Sequence, residues 1–251
     1  RRAALSGVRG AIPPVVTRLE REAAAIVTTT DSFARVLRGR GMGRVVTVRN
    51  TAVPRDWALP AVPREQPDEA LHVLYLGTVG RAQGLRSAVR EAALARAQGT
   101  RMVLRIVGEG ADLAPTRCEA EELGAPVEIL PMVPADRVAA HYAWADSVLV
   151  SLQDWPSMEL TVPSKLYEVM ATGRHVSVAA AGAAGRIVKA SRSGDVVPPQ
   201  DPAALARLWQ ELAADRDRLV VTGGGPWLEA HASCSALLDR YEAVLERTAH
   251  A

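Results

Sequence analysis

The sequence predicts an α/β protein built on a doubly wound, mostly parallel sheet. Two observations predict this class. Short runs rich in Val, Ile and Leu alternate with stretches whose apolar residues recur every three or four positions. The 251 residues, 48% hydrophobic and 23% charged, are also enough for a sizeable buried core. Repeated strand–helix–strand units of this kind form right-handed crossovers that place helices on both faces of a sheet.

Eight short apolar runs are predicted to be the strands. Strands covered on both faces carry apolar residues at successive positions, and most of these runs fit that pattern. In chain order they are Ala25–Thr29, Val45–Val48, His72–Gly77, Met102–Gly108, Val127–Leu130, Ser147–Ser151, His175–Ala179 and Asp195–Val197.

Helices are predicted between these runs, where apolar residues keep helical spacing. A glycine follows three of them directly, as at many helix carboxyl ends. The predicted helices are Leu85–Gln98, Ala111–Leu123, Pro134–Ala145 and Lys165–Thr172. The tail, Trp227–Thr248, is predicted to be one amphipathic helix introduced by Gly223–Pro226.

Prolines at positions 54, 60, 63 and 67 crowd a polar stretch and disfavour regular structure there. We therefore predict an N-terminal segment at 1–55, a linker at 56–70, a Rossmann-like domain at 71–225 and a final helix at 226–251. The N-terminal segment holds too few elements to cover both faces of a sheet, and the chain begins without methionine. We expect it to be the end of a second Rossmann-like domain that starts upstream.

Composition argues against several classes of protein. The 30 basic and 28 acidic residues leave a net charge of +2, which gives no reason to expect a nucleic-acid partner. The sequence contains no run of eighteen apolar residues, so no membrane-spanning helix is predicted. Cys118 and Cys234 lie outside any CxxC motif, and the five histidines lack the HxxxH or HExxH spacing. Neither a metal site nor a disulfide framework is expected.

Two glycine-rich turns follow predicted strands, where open α/β sheets bind ligands. In the first, Gly77–Gly84, three glycines allow close approach of an anion, the next helix offers free amides and Arg81 adds positive charge. A tight turn that needs glycine for its geometry alone would explain the same residues. In the second, Gly108–Gly110, a dinucleotide fingerprint lacks its third glycine, so close passage of the chain past a ligand is favoured over a dehydrogenase site.

The segment PSKLYEVMATG, which begins at Pro163, is the most informative. Pro163 and Ser164 favour a helix start, so the amides of Lys165 and Leu166 would face a bound phosphate. Lys165 would add a charge, and Glu168, one turn later, could accept hydrogen bonds from two sugar hydroxyls. The alternative is an ordinary capped helix on whose surface Lys165 and Glu168 form an ion pair.

Several segments occur in an order that resembles the C-terminal domain of family 4 glycosyltransferases of the GT-B fold. They are Tyr75–Gly77, Ile106–Gly110, Leu130–Pro134, Ala145–Asp146, Pro163–Gly173 and Gly194–Asp201. The likeness covers about residues 15 to 248 and is greatest to the bacterial subgroup that builds cell-surface polysaccharides and carries a PSKxxE motif. No single segment is specific, but their combined order is.

The resemblance implies a retaining, metal-independent transfer of a sugar from a UDP- or GDP-linked donor, with no cofactor, to a glycan or lipid-linked acceptor. Glu168 would bind the donor ribose. The amides of Ser164–Leu166, with Lys165, would bind the pyrophosphate. Backbone at Met132 and Val133 would contact the base. The donor-binding residues predicted in all are Gly77, Arg81, Gly108, Met132, Val133, Ser164, Lys165, Leu166 and Glu168.

Four positions depart from the family pattern. Many relatives have Arg directly after the glycine of the first loop and Lys five residues later, where this chain has Thr78 and Gln83. The family's other carboxylate falls on Leu160, and Ala183 replaces a glutamate common in the subgroup. A degenerate, non-catalytic nucleotide-binding or interaction domain therefore stays an alternative. A GT-B-fold sugar-nucleotide epimerase is another, although the scattered histidines argue against it.

The resemblance also implies where the rest of the enzyme lies. The acceptor domain, with any catalytic residues that it supplies, is expected upstream of Arg1, so the isolated chain is expected to be a donor-binding half that does not turn over alone. We expect a cytoplasmic protein. Contact with the inner face of the membrane would come mainly from an amphipathic surface on the upstream half.

Overall fold

The computed structural model describes residues 14–52, 59–60, 70–201 and 203–249. The chain divides into two compact units, residues 1–50 with 234–251 and residues 51–233. Most of the predicted linker, 56–70, lies outside the described residues, so that linker stays a prediction.

Eight strands form in the described residues, each within one residue of its prediction at either end. Two of them pair in parallel in the smaller unit, and six form one parallel sheet in the larger unit. They are β1 (Ile26–Thr28), β2 (Val45–Thr47), β3 (Leu71–Leu76), β4 (Met102–Val107), β5 (Val127–Leu130), β6 (Ser147–Ser151), β7 (His175–Ala179) and β8 (Gly194–Val197). The predicted α/β class with a parallel sheet flanked by helices is confirmed.

The order of the six strands, β5-β4-β3-β6-β7-β8, places a reversal of direction at the centre of the sheet. The chain runs outward from β3 to β5 and then starts again at β6, on the other side of β3. Loops that leave β3 and β6 therefore separate and open a crevice at the carboxyl ends of these strands. Ligands of open parallel sheets bind at such a reversal.

Helices occupy the connections between strands, and ten of them are described. They are α1 (14–22), α2 (Asp31–Gly39), α3 (Leu85–Ala97), α4 (Leu113–Glu122), α5 (Val138–Trp144), α6 (Ser164–Thr172), α7 (Ala183–Ser191), α8 (Ala204–Ala214), α9 (Gly224–Ala232) and α10 (Cys234–Ala249). Short 3₁₀ turns lie at Arg81–Gln83, Met158–Leu160 and Arg216–Leu219.

The structure corrects the prediction of a single tail helix. One residue, Ser233, separates α9 from α10, because its extended backbone (φ −63°, ψ 139°) interrupts the helical hydrogen bonds. Serine favours such breaks since its hydroxyl competes for backbone groups. Helix α9 belongs to the larger unit, where Trp227 packs against Tyr167 of α6 with ring centroids 6.4 Å apart. Helix α10 belongs to the smaller unit, where Arg240 donates to the Thr47 carbonyl at 3.2 Å.

The core of the larger unit lies between the sheet and helices α3 and α8. Leu85, Leu104, Ile106 and Trp209 are completely buried there. Burial of each such side chain contributes roughly 2 kcal/mol relative to leaving it exposed. This packing fixes the central strands, whose carboxyl ends carry the crevice.

One carboxyl group is buried in this layer. Glu91 of α3 is 2% exposed, and its carboxylate accepts a hydrogen bond from the Leu205 N–H at 2.6 Å, near the start of α8. Burial raises the pKa of Glu91 to about 7. The packing of α3 on α8 is therefore linked to the protonation of Glu91.

We expect the free energy of unfolding to fall as the pH rises from about 4.5 to about 7. Below this range the Glu91 carboxyl is protonated in both the folded and the unfolded chain. Within it, the unfolded chain loses a proton that the folded chain still holds, which favours unfolding by on the order of 3 kcal/mol. Urea titrations at several pH values measure the slope. The neutral variant Glu91→Gln should lack this component, and an equal slope in both proteins would contradict the assignment.

Candidate functional site

A cleft of about 320 Å³ opens at the crevice between β3 and β6. Three segments line this central cleft: residues 75–78 with Gln83, around the end of β3; residues 149–152, at the end of β6; and residues 163–165, at the start of α6. All three lie in the larger unit, at the edge of the sheet that the topology assigns to ligands.

The loop after β3 is held in place by Tyr75 and by the neighbouring strand. The hydroxyl of the buried Tyr75 donates to the Thr78 carbonyl at 2.7 Å, and burial raises the pKa of Tyr75. The Gly77 N–H donates to the Val107 carbonyl at 3.0 Å, so pairing with β4 continues past the end of β3. These bonds fix the backbone of Gly77 and Thr78 in the wall of the cleft.

Gly108, predicted to pass close to a nucleoside, packs against this same loop. A Cβ atom at Gly108 would lie 1.8 Å from the carbonyl oxygen of Gly77, and its φ of +155° disfavours other residues. Packing alone therefore requires this glycine. Gly108 is not among the residues that line the central cleft, so a role toward a ligand stays a prediction.

Helix α6 begins at the cleft with two open amides. Pro163 precedes its first turn, and no side chain caps that turn. In the part of the chain that the structure describes, the N–H groups of Ser164 and Lys165 have no hydrogen-bond partner. The Leu166 N–H, however, donates to the Pro163 carbonyl at 3.0 Å. The structure thus corrects the prediction that the Leu166 amide faces a phosphate, because the tight turn after Pro163 already engages it.

The Glu168 carboxylate is held by two partners. Lys165 Nζ lies 3.1 Å from each carboxylate oxygen, and the Tyr142 hydroxyl donates to Oε1 at 2.9 Å. Tyr142, on α5, is completely buried, whereas the Lys165 and Glu168 side chains are 33% and 22% exposed. The ion pair offered by the sequence as an alternative is therefore present. It is partly buried, and Tyr142 fixes the orientation of its carboxylate.

Three predicted residues lie away from the central cleft. Arg81 is exposed and lines a separate cleft. Met132 and Val133 follow β5, two strands from β3 at one edge of the sheet, and Met132 is 56% exposed. Of the predicted set, the residues that the structure brings together on the wall of the central cleft are Gly77, Ser164 and Lys165.

Two of the departures from the family pattern lie on the same wall. Thr78 and Gln83 both line the central cleft, and Gln83 Oε1 accepts a hydrogen bond from the Gly80 N–H at 3.1 Å. Lys165 is the one charged residue among those that line it. The cleft therefore carries less positive charge than the family pattern implies.

Sequence reasoning missed the two tyrosines of this site. Tyr75 lies inside an apolar strand and Tyr142 inside an apolar helix, so their aromatic rings are indistinguishable from core residues in the sequence. The only signal available was chemical, because a buried tyrosine hydroxyl needs a hydrogen-bond partner. The sequence does not show which partner it finds.

A Ser–His–Asp cluster lies at the opposite edge of the sheet. Ser147 Oγ is 2.8 Å from His175 Nδ1, and His175 Nε2 is 3.1 Å from Asp195 Oδ2. Ser147 and His175 begin β6 and β7, and both are completely buried, so a substrate cannot reach the serine. The hydrogen bond from His175 holds the pKa of Asp195 below its usual value. This cluster connects β6, β7 and β8 and is not a catalytic triad.

Neither a metal centre nor a membrane span is found within residues 14–52, 59–60, 70–201 and 203–249. Groups of three or more His, Cys, Asp or Glu side chains that could hold a metal ion do not occur in these ranges. No helix in the same ranges is long and apolar enough to cross a bilayer.

Comparison with known protein families shows the family to which the chain belongs. The profile of the family described as Glycosyl transferases group 1 matches residues 70–215, more than half of the 251 residues. The chain belongs to this family. The matched region of this group 1 glycosyltransferase contains every residue that lines the central cleft. A search of curated proteins found no significant match.

Solved structures of glycosyltransferases resemble the chain along most of its length. HepE from Anabaena, in complex with UDP-glucose, has a TM-score of 0.75 at 16% identity, over 93% of this chain and 66% of that one. Sucrose-phosphate synthase from Thermosynechococcus elongatus has a TM-score of 0.74 at 22% identity, over 94% and 61%. TarM from S. aureus, a mutant solved with UDP among its ligands, has a TM-score of 0.73 at 12% identity, over 92% and 46%.

At these identities the likeness shows the fold, which is that of GT-B glycosyltransferases, with the six-stranded sheet as a C-terminal domain of that type. The group 1 glycosyltransferase chain spans between 46% and 66% of the length of these three proteins.

Proposed function

We propose that this chain is the donor-binding half of a glycosyltransferase and that its central cleft binds a sugar linked to UDP or GDP. One observation carries the proposal. The glycine-rich loop after β3 and the open amides at the start of α6, with Lys165, line the same cleft at the reversal of the sheet. The UDP-glucose complex of HepE, which has the same fold, supports a donor of this class.

The diphosphate is proposed to lie over the first turn of α6. The N–H groups of Ser164 and Lys165 are open there, and the positive end of the helix dipole favours an anion at the same place. The Lys165 ammonium adds a full charge. The cleft volume of about 320 Å³ lies at the lower end of the range of small-molecule sites, roughly 300–1,000 Å³.

Glu168 is proposed to bind the ribose of the donor. Its carboxylate lies one turn beyond Ser164 on the same helix, and Tyr142 holds it in one orientation. Lys165 already contacts both carboxylate oxygens. A diphosphate at the helix start would share this lysine with Glu168, so recognition of the phosphates and of the ribose would be coupled.

In the proposed reaction, the bond between the anomeric carbon and a diphosphate oxygen breaks, and that carbon forms a new bond to an acceptor hydroxyl oxygen. The proton of that hydroxyl passes to a base of the other half or to the departing diphosphate. Negative charge grows on the leaving diphosphate, where Lys165 and the α6 amides would stabilise it without a metal ion. We propose retention of anomeric configuration, a glycan or lipid-linked acceptor as in surface-polysaccharide assembly, and a cytoplasmic location. The residues that activate the acceptor would belong to the other half of the enzyme.

Calorimetric titration of the chain with UDP and with GDP, in buffer that contains EDTA, tests the proposal. Saturable binding of one of them without a divalent metal is the expected result. Absence of binding by either at millimolar concentration would overturn it and would favour the non-catalytic interaction domain. The observation in favour of that alternative is the single cation of the central cleft.

Replacing Tyr142 by Phe should weaken UDP binding about fivefold, since one hydrogen bond that orients Glu168 is lost, at about 1 kcal/mol. Binding of 2′-deoxy-UDP should change little, because that ligand lacks one of the two hydroxyls that Glu168 is proposed to bind. Titration of both ligands measures the difference. Tyr241→Phe, on the exposed face of α10, is the matched control. Equal losses for the two ligands would show that Tyr142 has only a general structural role.

Replacing Thr78 by Arg should strengthen UDP binding by about fivefold, or about 1 kcal/mol, because an exposed residue on the cleft wall gains a charge that can reach the diphosphate. The gain should shrink as salt is added, since salt screens exposed charges. Thr222→Arg, at another exposed threonine outside the cleft lining, controls for net charge. Equal affinities of these two variants would contradict the placement of the diphosphate.

A further inference from the structure

A second cleft, of about 500 Å³, opens next to the central one. The loop 77–84 contributes Gly77, Thr78 and Gln83 to the central cleft and Arg81 and Gly84 to the second cleft, and the two clefts share no lining residue. The second cleft is completed by the first half of α3, the start of α4 and the loops after β6 and β8. It is therefore a distinct space at the same edge of the sheet.

An indole ring lines this second cleft. Tryptophan is highly buried on average, but Trp155 is 44% exposed. Its backbone is nevertheless fixed on both sides, because the Trp155 N–H donates to the Gln153 carbonyl at 2.8 Å and the Trp155 carbonyl accepts from the Met158 N–H at 2.8 Å. Trp155 therefore offers an exposed aromatic platform on a loop whose backbone is fixed.

The loop that carries Trp155 is also tied to its neighbours. The Gln153 N–H donates to the Ala82 carbonyl at 2.8 Å, and Gln200 Oε1 accepts from the Asp154 N–H at 3.1 Å. Gln153 and Gln200 both line the second cleft, so amide groups that can pair with hydroxyls lie around the indole.

Arginines supply positive charge to the same space. Arg81, Arg86 and Arg90 line the second cleft, and Asp112 is the one acidic residue in its lining. Arg86 and Arg90 form ion pairs with Glu119, whereas the guanidinium of the exposed Arg81 has no hydrogen-bond or ion-pair partner among the described residues. A guanidinium with open donors suits a carboxylate, which it can bind through two parallel hydrogen bonds.

We propose that the second cleft binds a saccharide that carries a carboxylate. The apolar face of a pyranose ring packs on the Trp155 indole, the amides of Gln153 and Gln200 bind hydroxyls, and Arg81 binds the carboxylate. The choice of a sugar over another carboxylate ligand rests on the proposed glycosyltransferase function. The exposed Trp155 indole and the Arg81 charge are observed independently of that function. An acidic glycan bound there would lie beside the donor, separated from it by a single loop.

The test is calorimetric titration of the chain with a hyaluronan tetrasaccharide, which contains glucuronate, and with neutral maltotetraose. We expect saturable binding of the acidic tetrasaccharide and at least tenfold weaker binding of the neutral one. Trp155→Ala and Arg81→Gln should each weaken binding of the acidic tetrasaccharide at least fivefold. Arg96→Ala, an exposed arginine near the other end of α3, should not.

The two clefts are separated by titrating UDP in parallel. Trp155→Ala should bind UDP like the wild type, and that binding would also show that the variant folds. Lys165→Ala should keep its affinity for the tetrasaccharide. Failure of both UDP and GDP to bind while the tetrasaccharide binds would count against the donor site alone. Absence of tetrasaccharide binding, equal binding of the neutral sugar, or no loss in Trp155→Ala and Arg81→Gln would overturn the second site.

Discussion

Replacing Lys165 by Ala is expected to weaken UDP binding ten- to a hundredfold. Lys165 is the one charged residue lining the central cleft, so its removal leaves only helix amides to balance the diphosphate. A charge-assisted hydrogen bond contributes about 1.5–3 kcal/mol, which gives this range of affinity. In the Lys165→Ala variant the Glu168 carboxylate keeps its hydrogen bond from Tyr142 but loses its counter-charge. Its negative charge would then repel the diphosphate, which adds to the loss of affinity.

The chain offers a matched control for this prediction. Its only other lysine, Lys189, is exposed on α7 and lies outside the cleft lining, so Lys189→Ala should bind UDP like the wild type. Lys165→Arg keeps the charge and should retain intermediate affinity. Unchanged UDP affinity in Lys165→Ala, in a protein with wild-type circular dichroism, would contradict the placement of the diphosphate at α6.

Replacing Asp146 by Ala is expected to lower the free energy of unfolding by about 3–5 kcal/mol. The Asp146 carboxylate is buried and accepts from the His72 N–H at 2.8 Å and from Arg216 Nη1 at 2.9 Å. The alanine variant removes the counter-charge of a guanidinium that is only 8% exposed and leaves the backbone amide of β3 without this acceptor. Urea denaturation followed by circular dichroism measures the loss.

Two further variants locate the origin of that loss. Asp146→Asn keeps an oxygen acceptor for the His72 amide but removes the charge, so it should be destabilised less than Asp146→Ala. Asp136→Ala changes an exposed aspartate before α5 and should alter stability by less than about 0.5 kcal/mol. A loss below about 1 kcal/mol in Asp146→Ala would show that the buried pair does not hold the amino ends of the strands.

The strands could be predicted closely because strands buried on both faces leave continuous apolar runs in the sequence. Helix boundaries depend on contacts that the sequence does not display. Helix α5 was predicted from Pro134 but begins at Val138, and the tail breaks at Ser233 although its apolar spacing continues. A local pattern shows that a helix forms, while the competition among backbone partners decides where it ends.

The parts of the central cleft that could be predicted are those encoded locally. Ser164 and Lys165 follow a proline at a helix start, and their proximity needs no knowledge of the fold. Tyr142 and Glu168 are 26 positions apart and meet only because α5 and α6 pack in the same unit. For Arg81 the residue and its loop could be predicted, but the sequence does not show that this residue lines the second cleft.

Acylation of Lys165 in the presence and absence of UDP tests the central claim most directly. The sequence contains two lysines, Lys165 and Lys189, so an amine-acylating reagent and peptide mass spectrometry report the site and its control in one sample. UDP should slow acylation of Lys165 severalfold and leave Lys189 unchanged, while uridine, which lacks phosphates, should protect little. Equal acylation of Lys165 without nucleotide, with saturating UDP and with saturating GDP would contradict a diphosphate bound at the start of α6.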